Sequence, residues 1–314
     1  MRTPKVSVCI YHARLCTLAV LLLSLPASAS SWKALPPLPV PVGYAGVETI
    51  NGVIYVAGGT VAGVPSSTLQ AFNPETKTWT AMANLPLTTY QPDGAGVING
   101  QLYVAGGWNG SLPTSNLLMY DPPSNTWTYL AGMPQLSACG ATGVINSMLY
   151  VTTPCNGFSG YYNFLDVYDP ATNAWTSLPS SASAHAYPAF GVINGKFYVG
   201  GGQDGSGAFT NVFEVYDPAT GAWTSLPPLP TAVASPASVA LNGRLCVVGG
   251  YNGTADLTTV QVYDPFRNRW EVLSPLPTAL SGASGVVVYG LAFVEGDDHT
   301  DGTNQYIAVT PSIP

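Results

Sequence analysis

The chain has 314 residues, of which 46% are hydrophobic and only 8% charged, with a formal net charge of −7. That is apolar content enough for a large core, and 34 Gly with 28 Pro imply many turns and little helix. The acidic balance disfavours nucleic acid as a partner, and no internal apolar run of about 20 residues suggests a membrane span.

Residues 1–29 read as a cleaved secretory signal peptide. Arg2, Lys5 and Arg14 precede the apolar run Leu15–Leu25, and Ala27-Ser28-Ala29 supplies small residues at the exit. The expected mature chain, 30–314, is a single domain in a secreted or periplasmic compartment. It keeps six basic residues against sixteen acidic ones.

Beyond the leader the sequence repeats. Trp32, Trp79, Trp127, Trp175, Trp223 and Trp270 recur every 47 or 48 residues, which marks one supersecondary unit used several times. Asn51-Gly52, Asn99-Gly100, Asn194-Gly195 and Asn242-Gly243 lie between apolar runs, the strongest short hairpin signal. Asn146-Ser147 and Tyr289-Gly290 hold the same place. An aromatic-Asx-Pro turn follows, from Phe72-Asn73-Pro74 to Tyr263-Asp264-Pro265, and seven residues after each aromatic comes the tryptophan. The unit therefore has four antiparallel strands, a to d, with the tryptophans as structural residues packing each unit.

The doublets Gly58-Gly59, Gly106-Gly107, Gly201-Gly202 and Gly249-Gly250, each followed by the aromatic and the tryptophan at fixed offsets, resemble the kelch repeat. Blade three departs with Thr153-Pro154 and blade six with Gly296-Asp297. The resemblance implies an all-β fold, a kelch β-propeller of four-stranded blades. Trp32 opens a d strand with no a, b or c before it, and the chain ends after a sixth set of a to c. Six blades are expected, the sixth closed by pairing the N-terminal d strand with the C-terminal a–c strands.

Strand order puts the d–a and b–c loops on one face, the top. Asp93, Asp204, Asp256, Asp297 and Asp298 map there with both mature histidines, His185 and His299, and with Tyr90, Trp108, Tyr187 and Tyr251. Lys and Arg map to the opposite face. An acidic, aromatic-rich surface without cations disfavours anionic ligands and favours a neutral carbohydrate or a protein partner. The expected function is thus an exported binding module, with Tyr90, Asp93, Trp108, Tyr187, Asp204, Tyr251 and Asp256 as contact residues.

The alternative is a carbohydrate-active enzyme on the same scaffold, using His185, His299, Asp297 and Asp298. Sialate mutarotase/epimerases resemble this chain in export and blade count. The galactose-oxidase type of kelch architecture requires two His and two Tyr around copper. No metal or other cofactor is expected here: position 12 of the Asp297 loop is Ala308, which cannot complete an EF-hand. Cys139 and Cys155 flank the third hairpin one residue out of register, and a bulge would let them form a disulfide.

Overall fold

The computed structural model describes residues 35–155, 161–297 and the backbone of 304–305. The leader, Trp32, Asp298 and His299 lie outside the described residues, as does the side chain of Asp297.

Five four-stranded antiparallel sheets follow one another, each a meander in chain order. Blade one is Gly46–Ile50, Val53–Ala57, Leu69–Asn73 and Thr78–Ala81; blade two is Gly94–Ile98, Gln101–Ala105, Leu117–Asp121 and Thr126–Tyr129. Blade three is Thr142–Ile145, Met148–Thr153, Phe164–Asp169 and Ala174–Leu178. Blade four is Ala189–Ile193, Lys196–Gly200, Phe213–Asp217 and Ala222–Leu226; blade five is Ala237–Leu241, Arg244–Val248, Val260–Asp264 and Arg269–Leu273.

A sixth sheet has three strands among the described residues: Ser281–Val288, Leu291–Asp297 and Asn304–Gln305. Among the described residues, complete blades thus number five, against the six expected. The a strands touch their neighbours in a closed cycle, and Ser281–Val288 lies between those of blades five and one. The molecule is an all-β propeller.

Every hairpin turn holds its Asn, or Tyr289, at positive φ near 50°, as the type I′ geometry requires. Core clusters sit between adjacent blades. In one, Tyr55 and Leu69 of blade one pack with Leu102 and Tyr120 of blade two. In each of the five complete blades the d-strand tryptophan ring lies against the c-strand aromatic, as in Tyr120–Trp127 with centroids 5.1 Å apart. Its indole N–H crosses to the preceding blade. Trp127 donates to the Ala83 carbonyl at 2.8 Å, Trp175 to Ala131 at 2.8 Å, Trp223 to Pro179 at 2.8 Å and Trp270 to Pro227 at 2.8 Å. Trp79 donates to Pro36 at 3.0 Å. The repeated tryptophan is both packing residue and inter-blade tie.

A second repeated device anchors the top loops. Gln70 exchanges two hydrogen bonds with the Val40 backbone, 2.7 and 2.9 Å. Gln261 makes the same clasp to Thr231. In blade four the position is Glu214, which accepts from the amides of Ala182 and Ser183.

Candidate functional site

Just before, or in the sixth sheet at the start of, each a strand the chain makes a turn that faces the axis. Tyr44, Gln91, Cys139, Tyr187, Ser235 and Gly282 all have φ between 49° and 67°. They are spaced by 47 or 48 residues, the same period as the tryptophans. Each non-glycine residue here costs about 1–2 kcal/mol in backbone strain.

A ring of main-chain hydrogen bonds offsets that cost. Gln91 N donates to Tyr44 O (3.0 Å), Cys139 N to Gln91 O (2.9 Å), Tyr187 N to Cys139 O (2.7 Å) and Ser235 N to Tyr187 O (2.9 Å). Ala283 N donates to Ser235 O (3.3 Å), and Tyr44 N to Gly282 O (2.9 Å) closes the circle. Glycine is required at 282, since a Cβ there would stand 2.8 Å from the Tyr44 ring.

This collar rims a cavity of about 120 Å³ at the top of the axial channel. Below it a second cavity of about 330 Å³ is walled by Thr49, Val97, Val144, Val192, Ala240 and Val287. Glu48, Phe190, Ser238 and Gly285 line both and form the waist between them. No Lys, Arg or His is among the described residues lining either cavity.

The expected site residues divide sharply. Tyr187 stands in the collar, half-buried, with Cys139 beside its hydroxyl; burial, then the nearby thiol, pushes its phenol pKa up. Asp93 also borders the channel, but it is fully buried rather than displayed on a loop. Its Oδ1 accepts from Ser137 Oγ at 2.8 Å and Gly140 N at 2.9 Å. Its Oδ2 is turned toward Gly106, where a Cβ would collide with it. Burial raises its carboxyl well above the usual range, so Asp93 is a structural acid.

Tyr90 and Trp108 pair through their backbones at 2.8 and 3.0 Å, and Trp108 packs on Ala138, Cys139, Cys155 and Ala186. Tyr251 pairs with Asp256 across a bridge and is 38% exposed, edge-on to Phe209. Asp204 spends its Oδ1 on Ser206 and Ala208, which shapes its own turn and holds its carboxyl below the usual range.

His185 is not a surface base. It is 3% exposed. Nδ1 donates to the Gly201 carbonyl at 2.9 Å, and Nε2 lies 3.0 Å from Glu214 Oε2. Burial alone would raise the Glu214 carboxyl; hydrogen bonds from His185, Ala182 and Ser183 outweigh it and hold it below its usual value. The pair clasps the blade-four loop as Gln70 and Gln261 clasp theirs.

The structure holds the two cysteines of the expected disulfide apart as thiols. Cys139 and Cys155 are both buried thiols. The paired ladder of that hairpin ends at Thr142 opposite Val151; beyond it an isolated bridge sets Ala138, not Cys139, opposite Cys155, with Ala138 N donating to Cys155 O at 3.1 Å. Cys139, one residue on, turns into the collar, and its thiol donates to Gln91 Oε1 at 3.8 Å.

The charge segregation is weaker than the sequence implied. On the lower face Lys196 pairs with Asp217 (2.8 Å) and Arg244 with Asp264 (3.3 Å), so cations there are met by turn carboxylates. On the upper face Asp93 and Glu295 are buried. Glu48, Gln91 and Ser235 went unnoticed in the sequence, although the period shared with the tryptophans marks the collar positions of Gln91 and Ser235.

A family model, the kelch motif, matches residues 41–86, 94–134, 184–230 and 232–277, more than half of the chain. The protein belongs to the kelch-repeat family. Among solved structures, one titled "Structure of YjhT" is similar with a TM-score of 0.75, covering 88% of this chain and 95% of that one at 20% identity. The likeness is one of fold. No curated protein matches the sequence.

Proposed function

We propose that this protein is an exported kelch propeller that binds a ligand on its top face, at and around the collar. The observation that carries the reading is the collar itself. Six repeat-equivalent turns, five of them strained non-glycine residues, frame one axial cavity whose described lining holds no cation. Concave sites with few polar groups are the usual form of ligand pockets. A cation-free lining favours a neutral carbohydrate, or a protein partner, over phosphates and sialic acids. Trp108 and Tyr251, on the loops of the same face, are the aromatic contacts in this reading. Against the enzyme reading stands His185, whose ring nitrogens are both committed to Gly201 and Glu214.

The propeller has six blades in this reading, the sixth completed by a d strand around Trp32. Support comes from Pro36, which accepts the Trp79 indole and lies four residues after Trp32. Ala83 stands in the same relation to Trp79, and Ala131 to Trp127.

Titration of the mature protein against a glycan array carrying both neutral and sialylated glycans tests the function. Binding that weakens tenfold or more in Trp108→Ala or Tyr251→Ala supports the sugar reading. An array without hits leaves the protein partner, and selective binding of sialic acid overturns the charge argument.

A further inference from the structure

Glu48 is an exception to its own repeat. Its partner across the hairpin is Tyr55, and the residues in the same register are Gly96, Gly143, Gly191, Val239 and Val286. Three of these have no side chain because the next blade packs against them: a Cβ at Gly143 would sit 2.7 Å from Val192. Blade one alone places a carboxylate there, at the waist between the two channel cavities.

That carboxylate has no cationic partner among the described residues. Its one described hydrogen bond is from the adjacent Thr49 amide, at 3.2 Å. The titratable groups around it are Tyr55 on the next strand, Asp93 leading into blade two, Tyr44, Cys139 and Tyr187 in the collar, and Glu295 opposite Ser284 in the sixth sheet. None is basic. Asp93 is wholly buried, with its Oδ1 committed to Ser137 and Gly140, so Glu48 is the acid the channel offers.

We infer that the axial channel is a binding site for a small organic monocation, an alkylammonium or quaternary ammonium group, with Glu48 as its counter-ion and the rings of Tyr44 and Tyr187 at its mouth. A carboxylate in a confined cavity attracts positive charge far more strongly than one in bulk water. The tyrosine faces add the attraction of aromatic rings for ammonium groups. Metal ions are a poorer match. The inward carbonyls of the collar already accept hydrogen bonds, and the described residues hold no group of three metal-ligating side chains. The inference rests on the top-face reading above but uses different atoms, inside the channel rather than on the rim.

The position predicts its own pH dependence. Burial pushes the Glu48 carboxyl up to about 7, so a cation must compete with a proton near neutrality. Choline is the probe and 3,3-dimethyl-1-butanol, its uncharged carbon analogue, is the control, each titrated calorimetrically into the full mature protein. Choline binds at pH 8 and about tenfold more weakly at pH 6, while the neutral analogue does not bind. Glu48→Gln and Glu48→Val abolish choline binding; the valine variant folds because Val239 and Val286 already occupy this register. Phe266→Ala, in the exposed turn on the lower face, leaves choline affinity within twofold. Equal binding of choline and its analogue, undiminished binding in both Glu48 variants, or no choline binding at pH 8 overturns the inference. Loss in Trp108→Ala with retention in Glu48→Val moves the site to the rim, which overturns the channel assignment but keeps the top-face reading.

Discussion

His185 Nε2 lies 3.0 Å from Glu214 Oε2, and both side chains are almost wholly buried. Nδ1 donates to the Gly201 carbonyl, and Nε2 meets a Glu214 carboxyl that hydrogen bonds from His185, Ala182 and Ser183 hold below its usual value against the pull of burial, so the two side chains form one buried, hydrogen-bonded pair. It joins the d–a loop of blade four to that blade's c strand.

Removing one partner strands the other charge. His185→Ala lowers unfolding free energy by roughly 3–5 kcal/mol, read from urea denaturation at pH 7. Since the Glu214 carboxyl is depressed in the fold, its contribution is present above its ordinary value of 4.5 and lost as pH falls through the lowered value. The gap between wild type and Glu214→Gln therefore narrows in acid. A His185→Ala protein as stable as wild type contradicts the clasp.

Glu48 has the opposite sign. Its folded value, about 7, exceeds 4.5, so wild type loses stability from this group as pH rises from 4.5 to about 7. Glu48→Val gains nothing at pH 4.5 and up to about 3 kcal/mol above pH 7. Thermal denaturation across pH 4–8 measures it; a pH-independent difference between the two proteins sinks the assignment.

The indole ties are testable one by one. Trp127→Phe keeps the ring against Tyr120 but loses the bond to Ala83, at a cost of about 1 kcal/mol. By the same relation Trp32 would bond the carbonyl of Ser274, in the stretch equivalent to Pro227. If the sixth blade closes this way, Trp32→Phe costs as much as Trp127→Phe. No effect of Trp32→Phe on the melting temperature argues against that closure.

Cys139 and Cys155 are expected to resist alkylation in the native protein. Cys155 is buried, and its hydrogen bond with Cys139, together with that burial, pushes its thiol pKa up. Iodoacetamide at pH 8 labels both cysteines only after unfolding, without added reductant. Peptide mapping that recovers a Cys139–Cys155 linked pair restores the disulfide.

Much of the architecture was readable from spacing. Asn-Gly turns, Asx-Pro turns and tryptophans each act within a few residues of themselves, so the four-strand unit and its register follow from local chemistry. The collar was harder to see. Its residues are Tyr, Gln, Cys, Tyr, Ser and Gly, chemically unrelated, because the ring bonds main chain to main chain and constrains φ rather than side-chain type. His185 and Asp93 misled for a related reason. Their loops belong to the top face, but whether a loop residue points to water or back into a blade depends on partners about 30 to 47 residues away, such as Glu214 and Gly140.

The repeat period, the strand order and the kelch identity thus come from the chain alone, since they rest on short-range turn geometry repeated at fixed intervals. Which acids face solvent, which thiol meets which neighbour, and which carboxylate reaches the axis are set when the sheets assemble around the channel. Burial and pairing between blades decide them. Glu48 illustrates the difference: in sequence it is one glutamate in an ordinary strand, and in the assembled ring it is the acid at the channel's waist.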